Sequence, residues 1–159
     1  MTIVNAVCYH ARVSAGEKER VVVAMSGGVD SSVAAMLMVD AGYDVVGMMA
    51  RLWSEPGECS APNRCCTPQS VDDARRVAAA LGIPFYVVDH EQEFKRTVVD
   101  YFVEEYGRGR TPNPCLVCNQ RIRFGSLMRR ALGLGARHFV TGHYARVERA
   151  TGGVRLLRG

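Results

Sequence analysis

No apolar stretch in these 159 residues approaches the ~20 needed to span a bilayer. Nor does Met1 to Val13 read as a signal peptide, because His10 and Arg12 interrupt it and no long apolar core follows. Both absences set a cytoplasmic, non-membrane location as the expectation. In that compartment the six cysteines are thiols, metal ligands or catalytic groups, not a disulfide framework. Cys8 reads as an ordinary free thiol. Internal repeats and low-complexity segments are also missing. Acid is missing where base is concentrated: no Asp or Glu occurs between Glu105 and Glu148. Inside that gap fall Arg108, Arg110, Arg121, Arg123, Arg129, Arg130 and Arg137. Such a run can neutralise phosphates, although a solvated helix face would look the same on charge alone.

What is present suits one globular domain. The chain is 48% hydrophobic and 23% charged, with a formal charge of +4. Residues 1–19 show no clear period and read as an N-terminal extension. Val21–Met25 is a β-branched apolar run stopped by glycine, the pattern of a buried parallel strand. A helix is expected from Asp30 to about Asp40, with Val33, Met36 and Leu37 on one face and Gly42 ending it. A second strand covers 44–50. Residues 51–69, with Trp53, Pro56, Gly57, Pro62 and Pro68, read as a long loop. Ser70 is the expected N-cap of the next helix, which ends at Leu81-Gly82. A third strand follows at 84–88, then a helix over 91–106, a Gly/Arg/Pro-rich loop at 107–116 and an Arg-rich helix to Leu134. His138–Thr141 is a fourth strand, and Thr151-Gly152-Gly153 marks a hairpin. Alternating strands and helices predict a doubly wound α/β fold, its mostly parallel sheet covered on both faces. Ligands of such sheets sit at the carboxyl ends of the strands.

The first strand runs into Ser26-Gly27-Gly28-Val29-Asp30-Ser31-Ser32. Its glycines allow a sharp turn and a close backbone approach to a phosphate. The helix that follows points N–H groups and its dipole at the anion. Ser26, Ser31 and Ser32 add hydroxyls. Asp30 is an acid at an anion site, which makes sense once Mg²⁺ is supplied, since magnesium binds through one or two carboxylates plus substrate phosphates. The Gly-Lys-[Ser/Thr] ending of the ordinary P-loop is absent. A bare Ser-Gly-Gly would be no more than a turn; the whole heptapeptide between strand and helix resembles the loop of the ATP pyrophosphatase (PP-loop) superfamily. Members split ATP to AMP and pyrophosphate, and the AMP activates an oxygen.

A second motif is Thr111-Pro112-Asn113-Pro114-Cys115-Leu116-Val117-Cys118-Asn119. Its C-x-x-C pair admits three chemical readings: a metal knuckle needing further ligands such as Cys59, Cys65 or Cys66, a redox pair, or a thiolate nucleophile beside arginines. Two small buried cysteines are the structural alternative.

The wider pattern narrows this. Gly107-Arg108-Gly109-Arg110 leads into the motif, Ile122-Arg123-Phe124 follows it, and Thr141-Gly142-His143-Tyr144-Ala145 comes later. Together with Cys66 and Asp72-Asp73-Ala74-Arg75, this order resembles the tRNA-specific 2-thiouridylase family from about Val21 to Gly159. The fold it implies is the adenine nucleotide alpha-hydrolase-like, PP-loop type. The resemblance implies a tRNA-uridine 2-sulfurtransferase: the C2 oxygen of a wobble uridine is adenylated, and a persulfide sulfur then displaces AMP. It implies that Ala24, Met25, Ser26, Gly27, Gly28, Val29, Asp30 and Ser31 hold ATP with Mg²⁺. Ala50 would meet adenine through its backbone, and Gly142 would line the same pocket. Asn113, Pro114 and Cys115 would lie against the target base, Cys118 falls on the first catalytic cysteine, and Arg121 and Arg123 become candidates for tRNA phosphate. The implied partners are tRNA with Lys-, Glu- or Gln-type anticodons and a protein that donates persulfide sulfur.

Two departures qualify the resemblance. Many members carry Asp, thought to be a general base, where this sequence has Cys115. The resulting C-x-x-C keeps an iron–sulfur cluster on Cys115 and Cys118 as an alternative. The second, persulfide-bearing cysteine and a Lys-Asp-Gln loop are expected beyond position 159. The expectation is therefore an adenylating domain over 20–159, cut short before the tRNA-binding and β-rich C-terminal parts. Rival readings are an ATP pyrophosphatase acting on a small molecule and an inactive ATP- or metal-binding fragment. His143 is expected near the nucleotide, as ligand or as structural histidine. Packing is expected for Trp53 and Tyr144 in preference to base stacking.

Overall fold

Four parallel strands lie side by side in the computed structural model, which describes residues 18–52, 67–150 and 153–158. The elements are β1 (Arg20–Ala24), α1 (Val29–Asp40), β2 (Asp44–Arg51), α2 (Pro68–Ala80) and β3 (Phe85–Asp89). Next come α3 (Glu91–Phe94), a π-helical segment Lys95–Val99 and α4 (Asp100–Gly107). Then α5 (Pro114–Cys118), a second π-helical segment Asn119–Leu127 and α6 (Met128–Gly133) lead to β4 (His138–Thr141). An antiparallel hairpin, β5 (Ala145–Ala150) with β6 (Gly153–Arg158), ends the described chain.

The strand order is β3-β2-β1-β4. β1 is central: Val22 pairs with Val46 on one side and Phe139 on the other. Alternate residues of β1 enter separate cores. Val21, Val23 and Met25 pack with Val45, Met49 and Val140 against Ala34 and Ala35 of α1 and Ala74 and Ala78 of α2. Val22 and Ala24 pack with Val46, Met48 and Phe139 against Leu127 and Ala131. A third, smaller cluster of Leu52, Val98 and Ile122 extends that second side. Both faces of the sheet are thus covered, and the expected doubly wound architecture is what forms.

The strand positions agree with the sequence reading to within a residue or so; the helices supply the corrections. Thr67, not Ser70, caps α2: its hydroxyl accepts from the Ser70 N–H at 3.2 Å, and Pro68 opens the helix. Val33, Met36 and Leu37 are the exposed side of α1, while Ser31, Ala34 and Ala35 are buried. Small residues win there because α1 lies close against β1, and bulk would push it away. The expected loop at 107–116 ends early, since Asn113 caps α5 through Leu116 N–H at 3.1 Å and Pro114 begins the helix. Cys115 is therefore helical. Residues 1–17, including Cys8, and residues 53–66, including Trp53, Cys59, Cys65 and Cys66, lie outside the described residues, as do Thr151, Gly152 and Gly159.

At the amino ends of the strands a polar clasp joins β1 to its neighbours. Glu19 accepts from Arg137 and pairs with His138 Nε2 at 2.7 Å. Arg20 bonds Asp44 at 2.7 Å and donates to the Leu134 carbonyl at 3.0 Å. The carboxyl ends are left to the site.

The packing of α1 can be tested by substitution. Ala35→Leu forces extra atoms between α1 and β1 and is expected to cost about 1–3 kcal/mol in urea unfolding. Leu37→Gln, on the exposed side, should stay within about 0.5 kcal/mol. The opposite order would return the buried face to Val33, Met36 and Leu37.

Candidate functional site

The order β3-β2-β1-β4 reverses direction between β1 and β4, and a crevice forms outside the carboxyl ends at such a reversal. A cavity of about 240 Å³ occupies this position. Ala24, Met25, Ser26, Asp30 and Ser31 line it from β1 and α1, and Ala50 lines it from β2. Thr141, Gly142 and His143 enter from β4, and Cys118, Ile122, Arg123 and Leu127 from the helix that starts at Pro114. Gly27, Gly28 and Val29 form the turn of the loop outside the cavity wall, with Val29 78% exposed.

Two glycines make the closure possible. Gly27 has φ +76°, and a Cβ on it would lie 2.3 Å from the Ser70 carbonyl oxygen. A Cβ on Gly142 would lie 2.7 Å from Ser31 N and 2.9 Å from the Asp30 carbonyl carbon. Neither gap admits a side chain, so β4 and α2 both press on the loop backbone.

The serines work differently from the sequence reading. The buried Ser31 Oγ accepts from Ser26 N–H and donates to the Gly28 carbonyl, each at 3.1 Å. Ser32 Oγ donates to the same carbonyl at 2.9 Å. These two hydroxyls shape the loop instead of reaching outward. The anion donors left are backbone groups: Gly28 is the N-cap of α1 and no side chain caps that helix, unlike α2 and α5. Its uncapped first turn combines orphan N–H groups with the positive end of the helix dipole.

Asp30 makes no ion pair among the described residues. Its carboxylate accepts from Tyr144 Oη at 2.6 Å. Tyr144 is therefore not packed away: it is 61% exposed and holds Asp30 across 114 positions of sequence. The Asp30 charge, mainly through that hydrogen bond, raises the Tyr144 pKa above its ordinary value. A carboxylate on the wall of an anion cavity, with no cation beside it, fits a Mg²⁺ held by one carboxylate and ligand phosphates.

His143 lies on the cavity wall. Arg123 Nη1 can only donate, so at 3.4 Å His143 Nε2 accepts. Nδ1 then carries the proton and donates to Thr141 Oγ1 at 2.8 Å. Burial first, and the Arg123 charge second, lower the His143 pKa below 6.5. The ring sits 5.6 Å from Phe124. Burial first, and then the Arg123 charge, favour the neutral imidazole.

Cys118 is half-buried on the cavity wall, three residues beyond an exposed Cys115. Asn113, Pro114, Cys115 and Arg121 lie off the wall, and the side-chain oxygen of Asn113 serves as a helix cap. Among the described residues no group of three or more metal-ligating side chains forms; Cys59, Cys65 and Cys66 are outside them. Sequence reading missed the apolar contributions of Met49, Leu52 and Leu127 and the inward placement of Arg123.

The tRNA methyl transferase HUP domain family matches residues 19–159. The chain belongs to that family. A tRNA-specific 2-thiouridylase MnmA of Clostridium perfringens is 51% identical over 142 residues, 89% of this chain and 40% of the relative. Its counterpart in Mycolicibacterium vanbaalenii is 60% identical over 129 residues, 80% of this chain and 36% of the relative. The Deinococcus radiodurans protein of the same name is 48% identical over 146 residues, 91% and 38% of the two chains. The resemblance read from the motifs is thus borne out, and the chain spans about 40% of the length of these relatives. A glutamine-dependent NAD+ synthetase from Acinetobacter baumannii superposes with a TM-score of 0.48 and 20% identity, over 75% of this chain and 20% of that one. That likeness adds nothing to the fold described above.

The depressed His143 pKa has a signed consequence. The unfolded chain takes up this proton before the folded one, so stability rises with pH across the interval. The contribution of neutral His143 is complete above about pH 6.5 and is lost as pH falls through the lowered folded value. His143→Gln should flatten that part of the melting temperature–pH curve. Arg123→Gln should raise the His143 pKa in an NMR titration; an unmoved pKa would remove Arg123 as a cause.

Proposed function

We propose that this chain is the ATP-binding and adenylating part of a tRNA 2-thiouridylase. The observation that carries the reading is one cavity lined both by Ser26, Asp30 and Ser31, which flank the glycine turn, and by Cys118. Phosphates would lie at the uncapped first turn of α1. Adenine would rest against the apolar side made by Ala24, Ala50 and Leu127, with the Ala50 backbone toward its edge. Asp30, oriented by Tyr144, would hold Mg²⁺, and the ion would supply charge neutralisation between the phosphates.

The chemistry follows in three balanced steps. The uridine C2 oxygen bonds to the α-phosphorus while the bond from that phosphorus to the pyrophosphate oxygen breaks, and pyrophosphate leaves. A sulfur nucleophile then bonds to C2, the C2–O bond breaks, and AMP leaves with that oxygen. That nucleophile is the outer sulfur of a persulfide; the Cys118 thiolate then attacks the inner sulfur of the resulting C2–S–S bridge, the S–S bond breaks, and 2-thiouridine is released as Cys118 forms a disulfide with the thiol that carried the persulfide. The persulfide sulfur comes from a partner protein, and the product is a 2-thiouridine in tRNA. Asn113, Pro114 and Cys115, beside the wall, would border the incoming base, with exposed Arg121 on the phosphates around it. Phosphate contacts of that kind position the tRNA and leave sequence choice to the base contacts. The family description speaks of methyl transfer and the relatives' names of thiolation. Thiolation is favoured here because a glycine loop, an uncapped helix and a magnesium-competent acid suit nucleotide activation, and a thiol faces the same space. Among the described residues no helix is long and apolar enough to cross a membrane. With tRNA as substrate, the reaction would take place in the cytoplasm.

Calorimetry tests the nucleotide half. Asp30→Ala should weaken Mg-ATP binding by about tenfold or more, the equivalent of ~1.4 kcal/mol. Unchanged affinity would sink the metal role of Asp30.

The thiol half needs a full-length protein. There Cys118→Ser should abolish thiolated tRNA, read by nucleoside mass spectrometry, and leave ATP affinity within about twofold. Product retained at the normal rate would remove Cys118 as the nucleophile.

A further inference from the structure

Arg123 was expected on tRNA phosphate, as one arginine in a basic run. Its surroundings set it apart. Arg121, Arg129 and Arg130 are exposed, whereas Arg123 is half-buried on the cavity wall. It makes no ion pair among the described residues. Its hydrogen bonds go to two neutral acceptors, Asn119 Oδ1 at 3.0 Å and His143 Nε2 at 3.4 Å, both from Nη1. The described bonds leave Nε and Nη2 uncommitted. A partly desolvated guanidinium held in place by neutral groups, facing a cavity, calls for an anion to complete it. The neutral state of His143 matters here, because a charged imidazole would repel Arg123 instead of accepting from it.

The helix geometry says where that anion sits. The segment Asn119–Leu127 is π-helical, with a wider turn than an α-helix. Residues four and five apart therefore share a face, and Cys118, Ile122, Arg123 and Leu127 all reach the cavity. Arg123 stands on the thiol's wall, and Ser26, Asp30 and Ser31 of the glycine loop line the same cavity.

We propose that Arg123 is a nucleotide-binding residue whose guanidinium takes the α-phosphate of ATP. The inference rests on the ATP reading above and deepens it. The loop and the α1 first turn serve the β- and γ-phosphates. The α-phosphorus must lie toward Cys118, because the uridine it activates is the one the sulfur attacks. Arg123 then meets the phosphorus that stays with the substrate between the first two steps. When AMP leaves, its phosphate gains a negative charge, and a fixed guanidinium stabilises that charge without reorganising.

The test uses this 159-residue chain with three ligands, ATP, AMP and adenosine, and no tRNA. Arg123→Gln should weaken AMP and ATP by about ten- to a hundredfold, the range of a charge-assisted hydrogen bond. Adenosine, which has no phosphate, should bind as before. Arg123→Lys should recover part of the loss, and Arg130→Gln, at an exposed arginine of the following helix, should change nothing. Equal losses for adenosine and AMP would mean a structural role, and a loss confined to ATP would move the contact to the outer phosphates; either overturns the proposal. If Arg123→Gln fails to fold by circular dichroism, Arg123→Lys carries the comparison: AMP weakened relative to adenosine supports the proposal, and an unchanged ratio overturns it. Should the unaltered chain bind neither ATP nor AMP, the ATP reading itself fails, a result distinct from normal binding by both variants.

Discussion

The end of β4 lies so close to the first turn of α1 that no side chain fits between them. A Cβ on Gly142 would be 2.7 Å from Ser31 N. Much of the site depends on this contact. It brings Thr141 and His143 to the carboxyl end of β1, and it turns the chain so that Tyr144 reaches Asp30. Gly27 imposes a second contact of the same kind from α2. The loop is pressed from two sides by backbone, and Ser31 and Ser32 tie it internally through the Gly28 carbonyl. A loop fixed in this way can present N–H groups to an anion without first being ordered, which lowers the entropy cost of binding.

Features that need only local pattern were legible in the sequence. Val21–Met25 and His138–Thr141 are β-branched or apolar runs with no competing period, and both formed strands where expected. The loop at Ser26 was legible because its glycines and acid follow a strand at once. The face of α1 was not, because periodicity counts large apolar residues, and Ala34 and Ala35 carry too little bulk to mark a buried stripe. The start of α2 at Thr67 was hidden by a run of prolines that favoured a loop, although a proline at the first helical position is a start signal. Tyr144 on Asp30 was out of reach for another reason: no local rule links two residues 114 positions apart.

Electrostatic arrangement separates the two ends of the sheet. At the amino ends, Glu19, Arg20, Asp44, Arg137 and His138 satisfy one another in ion pairs and hydrogen bonds. At the carboxyl ends Arg51 of β2 pairs with Asp89 of β3, but on the cavity wall Asp30 has a phenol and Arg123 an amide and an imidazole, so neither of those two charges is cancelled by an opposite one. Stability alone would favour pairing at both ends, since uncompensated charge near a cavity is costly. The difference is what a binding site requires: charges held in place, neutralised only when the ligand arrives.

The winding of one helix links the two halves of the proposed chemistry. With 3.6 residues per turn, Cys118 and Arg123 would point about 140° apart. One of them would then face away from the cavity, whatever the sequence between them. The π-helical segment beginning at Asn119 removes that divergence. Its cost is borne by packing, because Ile122 and Leu127 are buried on the same side and hold the wide turn against Leu52 and the sheet. An α-periodic reading of 114–133 cannot find this, since it assigns Cys118 and Arg123 to different faces. A thiol and a cation that share a wall are therefore a product of the core beneath them. Substitutions at Ile122 or Leu127 that relax the segment toward α-helix would separate the two groups while leaving both residues in place.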